Sequence, residues 1–291
     1  MSQVITFTNK KNEVIEFTDH SRFLIQKIDF GDVDADEITY KGFKQDGEVY
    51  QHSTLTKRQI VLKFALLCET VEELLEVRKQ ILRVFNPKIG QGLLKYCYYG
   101  VERCIPCVAD RLPYMPLFPG RTVVEGEVIL LAHDPYFMDI NQTKVEIAFW
   151  QGAFKFPLSI PQDTGIVMGV RNPSLIVNVS NQGDVECGMM IEFIAKGTVE
   201  NPSLFNVNTQ EFIKVNQVMS AGEKITVSTG YGSKKIVSEL NGVSKNIMKY
   251  LDLNSTFLQL EVGDNLFRYD ADENLNQLEV NIWYTQRYLG V

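Results

Sequence analysis

Three features are missing from this sequence: a long apolar run, an export signal and an excess of positive charge. No apolar stretch among the 291 residues reaches the roughly 18 residues that suggest a membrane-spanning helix. Residues 1–9 lack the basic start, apolar run and cleavage site of a secretory signal, so we expect the chain to fold in the cytoplasm. Lys and Arg number 29 against 36 Asp and Glu, without a dense basic stripe. Neither a membrane nor nucleic acid is therefore an expected partner.

Cysteine is scarce as well. The five cysteines are an odd number spread through a long chain, unlike a small disulfide-bonded scaffold, and we expect reduced thiols. Cys104-Ile-Pro-Cys107 has the spacing of a redox pair, yet it follows Gly100 in a strand-like segment, whereas a helix N-terminus usually stabilises a reactive thiolate. Zinc would need two further ligands, and Cys97 with three histidines in the chain is a poor supply. We predict that Cys104 and Cys107 are structural.

Two acidic runs begin like calcium-binding loops and then depart from the pattern. The run Asp270 to Asn274 continues with Leu275 at the position where such a loop has its glycine turn. The run Asp32 to Asp36 continues with Glu37 at the same position. Both are better explained as solvated acidic turns, and the sequence predicts no metal site.

Catalytic arrangements are equally weak. The adjacent His133 and Asp134 would point to opposite faces of an extended segment, and residues 230–235 lack the spacing of a phosphate-binding loop and indicate a hairpin turn. Glu125 and Glu127 share one face of a predicted strand and would be the paired carboxylates of a glycan-cleaving enzyme, although solvated strand residues are commoner. The sequence thus predicts no catalytic residue, no cofactor-binding residue and no metal ligand.

One helix is predicted, from Thr70 to Phe85. Thr70 and Glu73 form a capping box, in which both side chains satisfy free backbone amides, and Pro87 ends the helix. Spacings of three and four residues predict a buried stripe with one polar member, which consists of Val71, Leu74, Leu75, Arg78, Ile81, Leu82 and Phe85. Runs of β-branched and aromatic residues predict strands at 59–67, 93–99, 103–109 and 123–131.

The second half of the chain has the pattern of an all-β sandwich, with strand-like runs separated by turn residues. About seven strands are predicted, at 175–180, 189–195, 211–215, 224–228, 235–239, 256–260 and 277–284. Asp134-Pro135 and the polar residues 141–143 indicate a junction. The sequence therefore predicts a mainly β protein: an α+β domain over residues 1–137 and a β-sandwich over residues 138–291.

Short stretches along the whole chain, in this order and spacing, resemble the siphophage distal tail protein family. In the first half they are residues 59–67, Val84-Phe-Asn-Pro87, Leu93-Leu-Lys-Tyr96 and Leu130-Leu-Ala-His-Asp-Pro-Tyr-Phe137. In the second half they are Phe154-Lys-Phe-Pro157, Asn181-Gln-Gly-Asp-Val-Glu-Cys-Gly188, residues 222–229, Leu260-Glu-Val-Gly-Asp-Asn265 and Tyr288-Leu-Gly-Val291. Each stretch is short, so the resemblance depends on their order.

The resemblance implies a structural protein of the distal end of a long non-contractile phage or prophage tail, without a cofactor. The first domain would form a ring, hexameric in this family, and the second, galectin-like domain would face outward. The expected partners are further copies of the chain, the tail tube protein, the tail hub or tip protein, and receptor-binding proteins.

A carbohydrate-binding module is the main alternative. Such a module presents a row of aromatic side chains on a sandwich face, and Trp150 and Trp283 are the two tryptophans of the chain. Trp283 lies in an apolar strand-like run and is expected in the core, while Trp150 lies near the junction. A glycan-cleaving tail enzyme is the third class, resting on Glu125 and Glu127.

Overall fold

The computed structural model of the chain describes residues 3–148, 150–152, 169–171 and 176–291, and for residues 148, 150–152 and 169–171 it describes the backbone. Two compact units are present, Met1–Ile140 with Tyr288–Val291, and Asn141–Arg287. The division differs from the expected one after residue 137, because residues 138–140 and 288–291 belong to the first unit. The reason is local: Met138 pairs with Cys104, and the Tyr288 hydroxyl lies 3.3 Å from the Asp139 carboxylate.

The first unit consists of one α-helix, a short 3₁₀ turn and mostly antiparallel strands. Its elements are β1 (Val4–Thr8), β2 (Val14–Thr18), β3 (Phe23–Asp29), β4 (Ala35–Tyr40), β5 (Val49–Leu55), β6 (Arg58–Leu67), α1 (Val71–Val84), the 3₁₀ turn Pro87–Ile89, β7 (Gly92–Tyr98), β8 (Val101–Ala109), β9 (Val123–Ala132), β10 (Phe137–Met138) and the C-terminal β26 (Arg287–Tyr288). The strands predicted at 59–67, 93–99, 103–109 and 123–131 are confirmed as β6 to β9.

These strands close into a barrel. The sheet order is β26-β10-β8-β7-β1-β2-β3-β6-β9, and β9 also pairs with β8. Alternate residues of each strand point inward, as the two-residue period requires, so that Ile5, Phe17 and Phe64 are fully buried. Gly126 lies opposite Phe64, where an added Cβ would come within 2.5 Å of the phenylalanine ring. The barrel therefore depends on a glycine in the middle of β9.

Helix α1 begins as predicted. The Thr70 hydroxyl accepts a hydrogen bond from the amide of Glu73, and the Glu73 carboxylate accepts one, at 2.9 Å, from the amide of Glu69 rather than of Thr70. Both side chains thus bond free amides at the helix start, where negative charge is also favoured by the helix dipole.

The buried face of α1 differs from the predicted stripe. The buried helix residues are Leu74, Val77, Ile81 and Val84, and they join the barrel residues in one core. Val71 and Leu75, which the spacing placed in the stripe, are 39% and 42% exposed. The predicted face was therefore wrong by part of a helical turn. Spacings of three and four residues fit both the predicted face, which is rotated toward Leu75, and the face that is buried in the structure.

The second unit is a sandwich of two larger sheets with short additional pairs. Its elements are β11 (Thr143–Ala148), β12 (Trp150–Gly152), β13 (Gly169–Arg171), β14 (Ile176–Asn181), β15 (Cys187–Ala195), β16 (Val199–Glu200), β17 (Ser203–Asn206), β18 (Phe212–Lys214), β19 (Val218–Met219), β20 (Lys224–Ser228), β21 (Lys235–Leu240), β22 (Val243–Asn246), β23 (Gln259–Leu260), β24 (Gly263–Asp270) and β25 (Leu278–Tyr284), with 3₁₀ turns at Met248–Tyr250 and Leu275–Gln277. One sheet has the order β11-β25-β15-β20-β21-β22, with β23 on β15, and the other the order β14-β24-β17-β18.

Side chains from both sheets form a single core, to which β15 contributes Ile191 and Phe193 and β24 contributes Phe267. The mainly β fold class, with one α-helix among the described residues and a C-terminal sandwich, is confirmed. The expected number of about seven strands was too low, because eight further strands, most of them short, were not predicted. The longest of these is β24, which begins with the turn-like residues Gly263 to Asn265. The family-like stretch Phe154–Pro157 lies outside the described residues.

The buried face of α1 generates a stability prediction. Ile81→Ala should lower the free energy of unfolding by about 2–5 kcal/mol, since it leaves a cavity in a packed core. Leu75→Ala on the same helix should change it by less than about 0.5 kcal/mol, because the side chain is largely exposed. Urea denaturation followed by circular dichroism measures both, and equal losses would contradict the observed helix orientation.

Candidate assembly surface

The strands β4 and β5 form a hairpin that stands apart from the barrel sheet. They pair with each other from Ala35–Leu55 at the base to Tyr40–Val49 near the tip, in a two-stranded sheet of their own. All residues of β4 are exposed, and so are those of β5 except the half-buried Leu55. We refer to residues 32–55 as the arm.

Local sequence explains why the arm forms. β-branched and aromatic residues make up six of the thirteen residues of its strands, which favours extended backbone. At the tip, Lys44 and Gly47 have φ values of 58° and 75°, and the Asp46-Gly47 pair between two strand-like runs is a typical hairpin signal. That signal is the one local feature of the sequence from which the arm could be predicted, and strands 35–40 and 49–55 were not among the predicted ones.

The arm exposes an unusual number of apolar side chains. Phe43 is 93% exposed, Tyr40 61%, Tyr50 58%, Val49 52% and Ile38 44%. An isolated two-stranded hairpin is marginally stable in water, and clustered exposed apolar residues mark interaction surfaces. The arm therefore has the properties of a segment that binds another protein surface.

Arg58 anchors the arm to the barrel. It is the first residue of β6 and is 6% exposed. Its guanidinium donates to the carbonyls of Phe30 at 3.2 Å and Gly31 at 3.1 Å, just before the arm. It also donates to Pro135 at 2.9 Å and Leu289 at 2.6 Å. One side chain thus joins the arm base, the end of the first unit's main segment and the C-terminus.

Two further contacts stabilise the base of the arm. The Arg58 guanidinium lies 5.1 Å from the centre of the Phe137 ring, a cation–π geometry. Gly31 has φ +67° and approaches Gln59 so closely that an added Cβ would lie 2.0 Å from its carbonyl oxygen. Burial lowers the pKa of Arg58, while the charge of Asp32 raises it. The guanidinium stays protonated, since arginine does not lose its proton in proteins.

The structure also explains the family-like stretches of the sandwich. Asn181 donates to the carbonyls of Val185 and Leu260 at 3.0 and 3.2 Å, and Asn265 donates to Glu261 and accepts from it. The two asparagines are 1% exposed. Stretches 181–188 and 260–265, which looked like separate motifs, are thus one structural junction between neighbouring loops.

Cys104 and Cys107 lie in β8, as predicted, and both are buried. Residues three apart on a strand face opposite sides, and Cys107 joins the barrel core while the Cys104 thiol lies 3.6 Å from the Asp139 carbonyl oxygen. Burial raises the pKa of the Cys104 thiol, and it raises that of Cys107 to about 12. Such thiols are poor nucleophiles and poor metal ligands at neutral pH.

The candidate carboxylates are engaged in other contacts. Glu127 forms ion pairs with Lys63 at 3.9 Å and Arg111 at 3.4 Å, and Glu125 accepts a hydrogen bond from Gln26 at 3.1 Å. Both lie on the outer face of β9, in positions typical of solvated strand residues.

The remaining predicted turns take ordinary roles. The amide of Ser233 donates to the Gly230 carbonyl at 3.0 Å, so residues 230–235 form the expected turn between β20 and β21. Lys214 binds the Asp272 carboxylate at 2.8 Å, as a charged surface pair rather than as part of a calcium loop. His133 is exposed.

Trp283 corrects an expectation. The sequence placed it in the core, but the residues of β25 that face the core are Leu278, Val280, Ile282 and Tyr284. Trp283 lies on the other face, half-buried, and its indole N–H donates to Glu192 at 2.8 Å. The side chain of Trp150 lies outside the described residues.

The described residues contain neither a metal site nor a membrane-spanning helix. Among them, no group of three or more His, Cys, Asp and Glu side chains is arranged to hold a metal ion. In the same part of the chain, no helix has the length and apolarity to cross a membrane.

A closed barrel with an exposed apolar arm, followed by a sandwich, is suited to assembly with other proteins. The family described as siphovirus-type tail component, C-terminal domain, matches residues 182–288, and the phage tail protein RIFT-related domain matches residues 10–114. The two matches fall in the two units in the expected order. This chain belongs to the siphovirus-type tail component family and is a structural component of a phage tail. No curated protein sequence matches it significantly.

Solved phage structures share the fold. The Dit protein of phage SPP1, described as a paradigm of the hub adsorption apparatus in phages that infect Gram-positive bacteria, matches with a TM-score of 0.68 at 13% identity, covering 98% of this chain and 100% of that one. A chain of the phage P2 baseplate in its activated conformation with Ca matches at 0.52 and 10% identity over 100% of both chains. The corresponding structure with Sr gives 0.51 and 10% over 99% of both.

The contacts of Arg58 predict a large effect of its removal. Arg58→Met should lower the free energy of unfolding by about 3 kcal/mol or more, because it leaves buried carbonyls without a charged donor. Lys57→Met, at the exposed neighbouring position, is the control and should cost less than about 0.5 kcal/mol. Thermal and urea unfolding measure the difference, and a loss below about 1 kcal/mol for Arg58→Met would refute the anchoring role.

The burial of Cys107 predicts slow alkylation. Its pKa is raised from 9.0 to about 12, so in the folded protein at pH 8 iodoacetamide should leave Cys107 unlabelled while labelling the half-buried Cys97. In urea both should react, as peptide mass spectrometry would show. The raised pKa stabilises the fold at neutral pH, and this contribution should disappear as the pH rises from 9 to about 12. Equal labelling of both thiols in the native protein would contradict the burial.

Proposed function

We propose that this chain is a distal tail protein, which forms a closed, hexameric ring at the distal end of the tail and joins the tail tube to the tail tip and hub. Family models that match both units of the chain support this proposal, as does the likeness in fold to the Dit protein of phage SPP1. The observation that carries it is the arm, a hairpin whose apolar side chains are exposed in the single chain.

A ring of more than two copies needs a heterologous contact, in which one surface of a copy meets a different surface of the next. The arm supplies one such surface, and its base is fixed to the barrel by Arg58. A rigid base lowers the entropy lost when the arm docks. We therefore assign ring formation to the first unit.

The second unit would then face outward, as a galectin-like platform for receptor-binding proteins. In this proposal the chain is not an enzyme, and its partners are its own copies, the tail tube protein and the tail hub or tip protein. The buried Cys107 and the ion-paired Glu127 support a structural role, since each is held in a packing or surface contact. Assembly into the virion tail would follow folding in the host cytoplasm.

The arm predicts the outcome of a simple substitution. Tyr40→Ser with Phe43→Ser should abolish ring formation, because it removes the two most exposed of the arm's three aromatic side chains, and should leave the unfolding temperature nearly unchanged. Leu253→Ser, in the second unit at a side chain that is 100% exposed, is the matched control and should keep the ring. Light scattering after size-exclusion chromatography gives the mass, and negative-stain electron microscopy shows the ring.

Two results would overturn the proposal. One is an unmodified protein that stays monomeric at high concentration and does not form a ring when tube and hub proteins are added. The other is an arm variant that assembles as well as the unmodified protein does. A carbohydrate-binding module would instead give sugar-specific signals on a glycan array, and a glycan-cleaving enzyme would digest cell walls.

A further inference from the structure

We infer that the acidic arm of one copy docks on a basic patch at the far end of the neighbouring copy's barrel. This inference rests on the proposed ring and names the surface that receives the arm. The basic patch consists of Lys10 and Lys11 in the turn between β1 and β2 and Lys88 in the 3₁₀ turn after α1. Its partner is a second copy of this chain.

The arm is strongly acidic. Residues 32–55 contain six carboxylates and two lysines, which gives a net charge of −4. The carboxylates are all exposed and belong to Asp32, Asp34, Asp36, Glu37, Asp46 and Glu48. The apolar side chains of the arm thus lie within a negative field, which attracts a basic surface and repels an acidic one.

The basic patch is equally well defined. Lys10, Lys11 and Lys88 are exposed, and the Lys10 chain passes within 4.0 Å of the Cβ position of Gly90, which places the two turns side by side. The nearby carboxylate of Glu13 is paired with Arg83 at 2.8 Å, so it does not neutralise the three lysines. The methylene groups of lysine can also cover apolar surface while the ammonium group stays in water. The basic patch can therefore contact the apolar side chains of the arm as well as its carboxylates.

The two surfaces lie at opposite ends of the barrel. Strand β1 runs from Val4, paired with Cys97, to Thr8, paired with Leu93, and Lys10 and Lys11 follow its Thr8 end. The arm leaves after Phe30, whose ring contacts Tyr96 at 4.9 Å, near the Val4 end. An acidic projection at one end and a basic patch at the other suit a head-to-tail contact that repeats around a ring.

Charge complementarity also argues against the competing surface. Leu117 and Phe118, in the loop before β9, are 48% and 54% exposed and would bury the arm's apolar side chains. Glu125 and Arg121 line the same shallow cavity of 620 Å³ as Phe118, and the Arg121 guanidinium lies 5.3 Å from the Phe118 ring centre. The exposed Glu72 belongs to the adjacent helix, so the carboxylates of this surface outnumber its one arginine, whereas the basic patch has three lysines. These carboxylates would face those of the arm, and like charges across an interface are costly.

A charge-swap experiment tests the inference in the full chain. The arm reversal is Asp36→Lys with Glu37→Lys, which changes both faces of β4, and the patch reversal is Lys10→Glu with Lys11→Glu. Each should raise the protein concentration at half assembly about tenfold or more, and combining them should restore assembly to within about threefold of the unmodified chain. Lys245→Glu, an exposed lysine of the second unit, is the control and should have no effect.

The readout is the mass distribution by light scattering at low and high salt, with thermal unfolding to show that each variant is folded. Raising the salt should weaken the unmodified ring, since salt screens exposed charges. If the ring forms but the patch reversal leaves it unchanged, or if the combined variant is not rescued, the inference is wrong while the ring proposal stands. If the unmodified chain and its tail partners form no ring, the proposed function itself fails.

Discussion

The buried guanidinium of Arg58 holds together parts of the chain that lie far apart in sequence. It binds carbonyls of Phe30, Gly31, Pro135 and Leu289, and a charged donor makes such bonds stronger than neutral ones. Arginine suits this place because its planar group carries five N–H donors. The direction in which the arm leaves the barrel, and the return of the C-terminus to the first unit, both depend on this contact.

A tail component must combine a rigid body with surfaces that recognise other subunits. The barrel supplies rigidity, because β8 and β9 close the sheet and leave the ring of strands without a free edge. Aromatic packing adds to this, since Phe7 stacks on Phe85 of the helix end at 4.5 Å. Against this body, the arm remains exposed, and its apolar and acidic side chains are available to a neighbour.

The sandwich shows a different use of polar groups. Asn181 and Asn265 are buried, and each bonds backbone groups of adjacent loops, which satisfies atoms that would otherwise lose their hydrogen bonds on burial. The stretches that resemble a phage tail family therefore contain residues that shape loops. Their order along the chain reflects a shared fold, and none of them includes residues of the arm.

The sequence by itself determined the fold class, the helix from Thr70 to Phe85 and the four barrel strands β6 to β9, because capping and two-residue alternation are local signals. It also indicated the family, through short stretches in a fixed order. Tertiary structure decided the orientation of α1, since Leu75 and Val77 lie on different faces of the helix, and packing against the barrel buries Val77 while Leu75 stays largely exposed. It likewise decided the roles of Arg58 and the arm. Arg58 binds carbonyls that lie far away in sequence, and the side chains of the arm stay exposed to solvent. No local sequence pattern encodes either property.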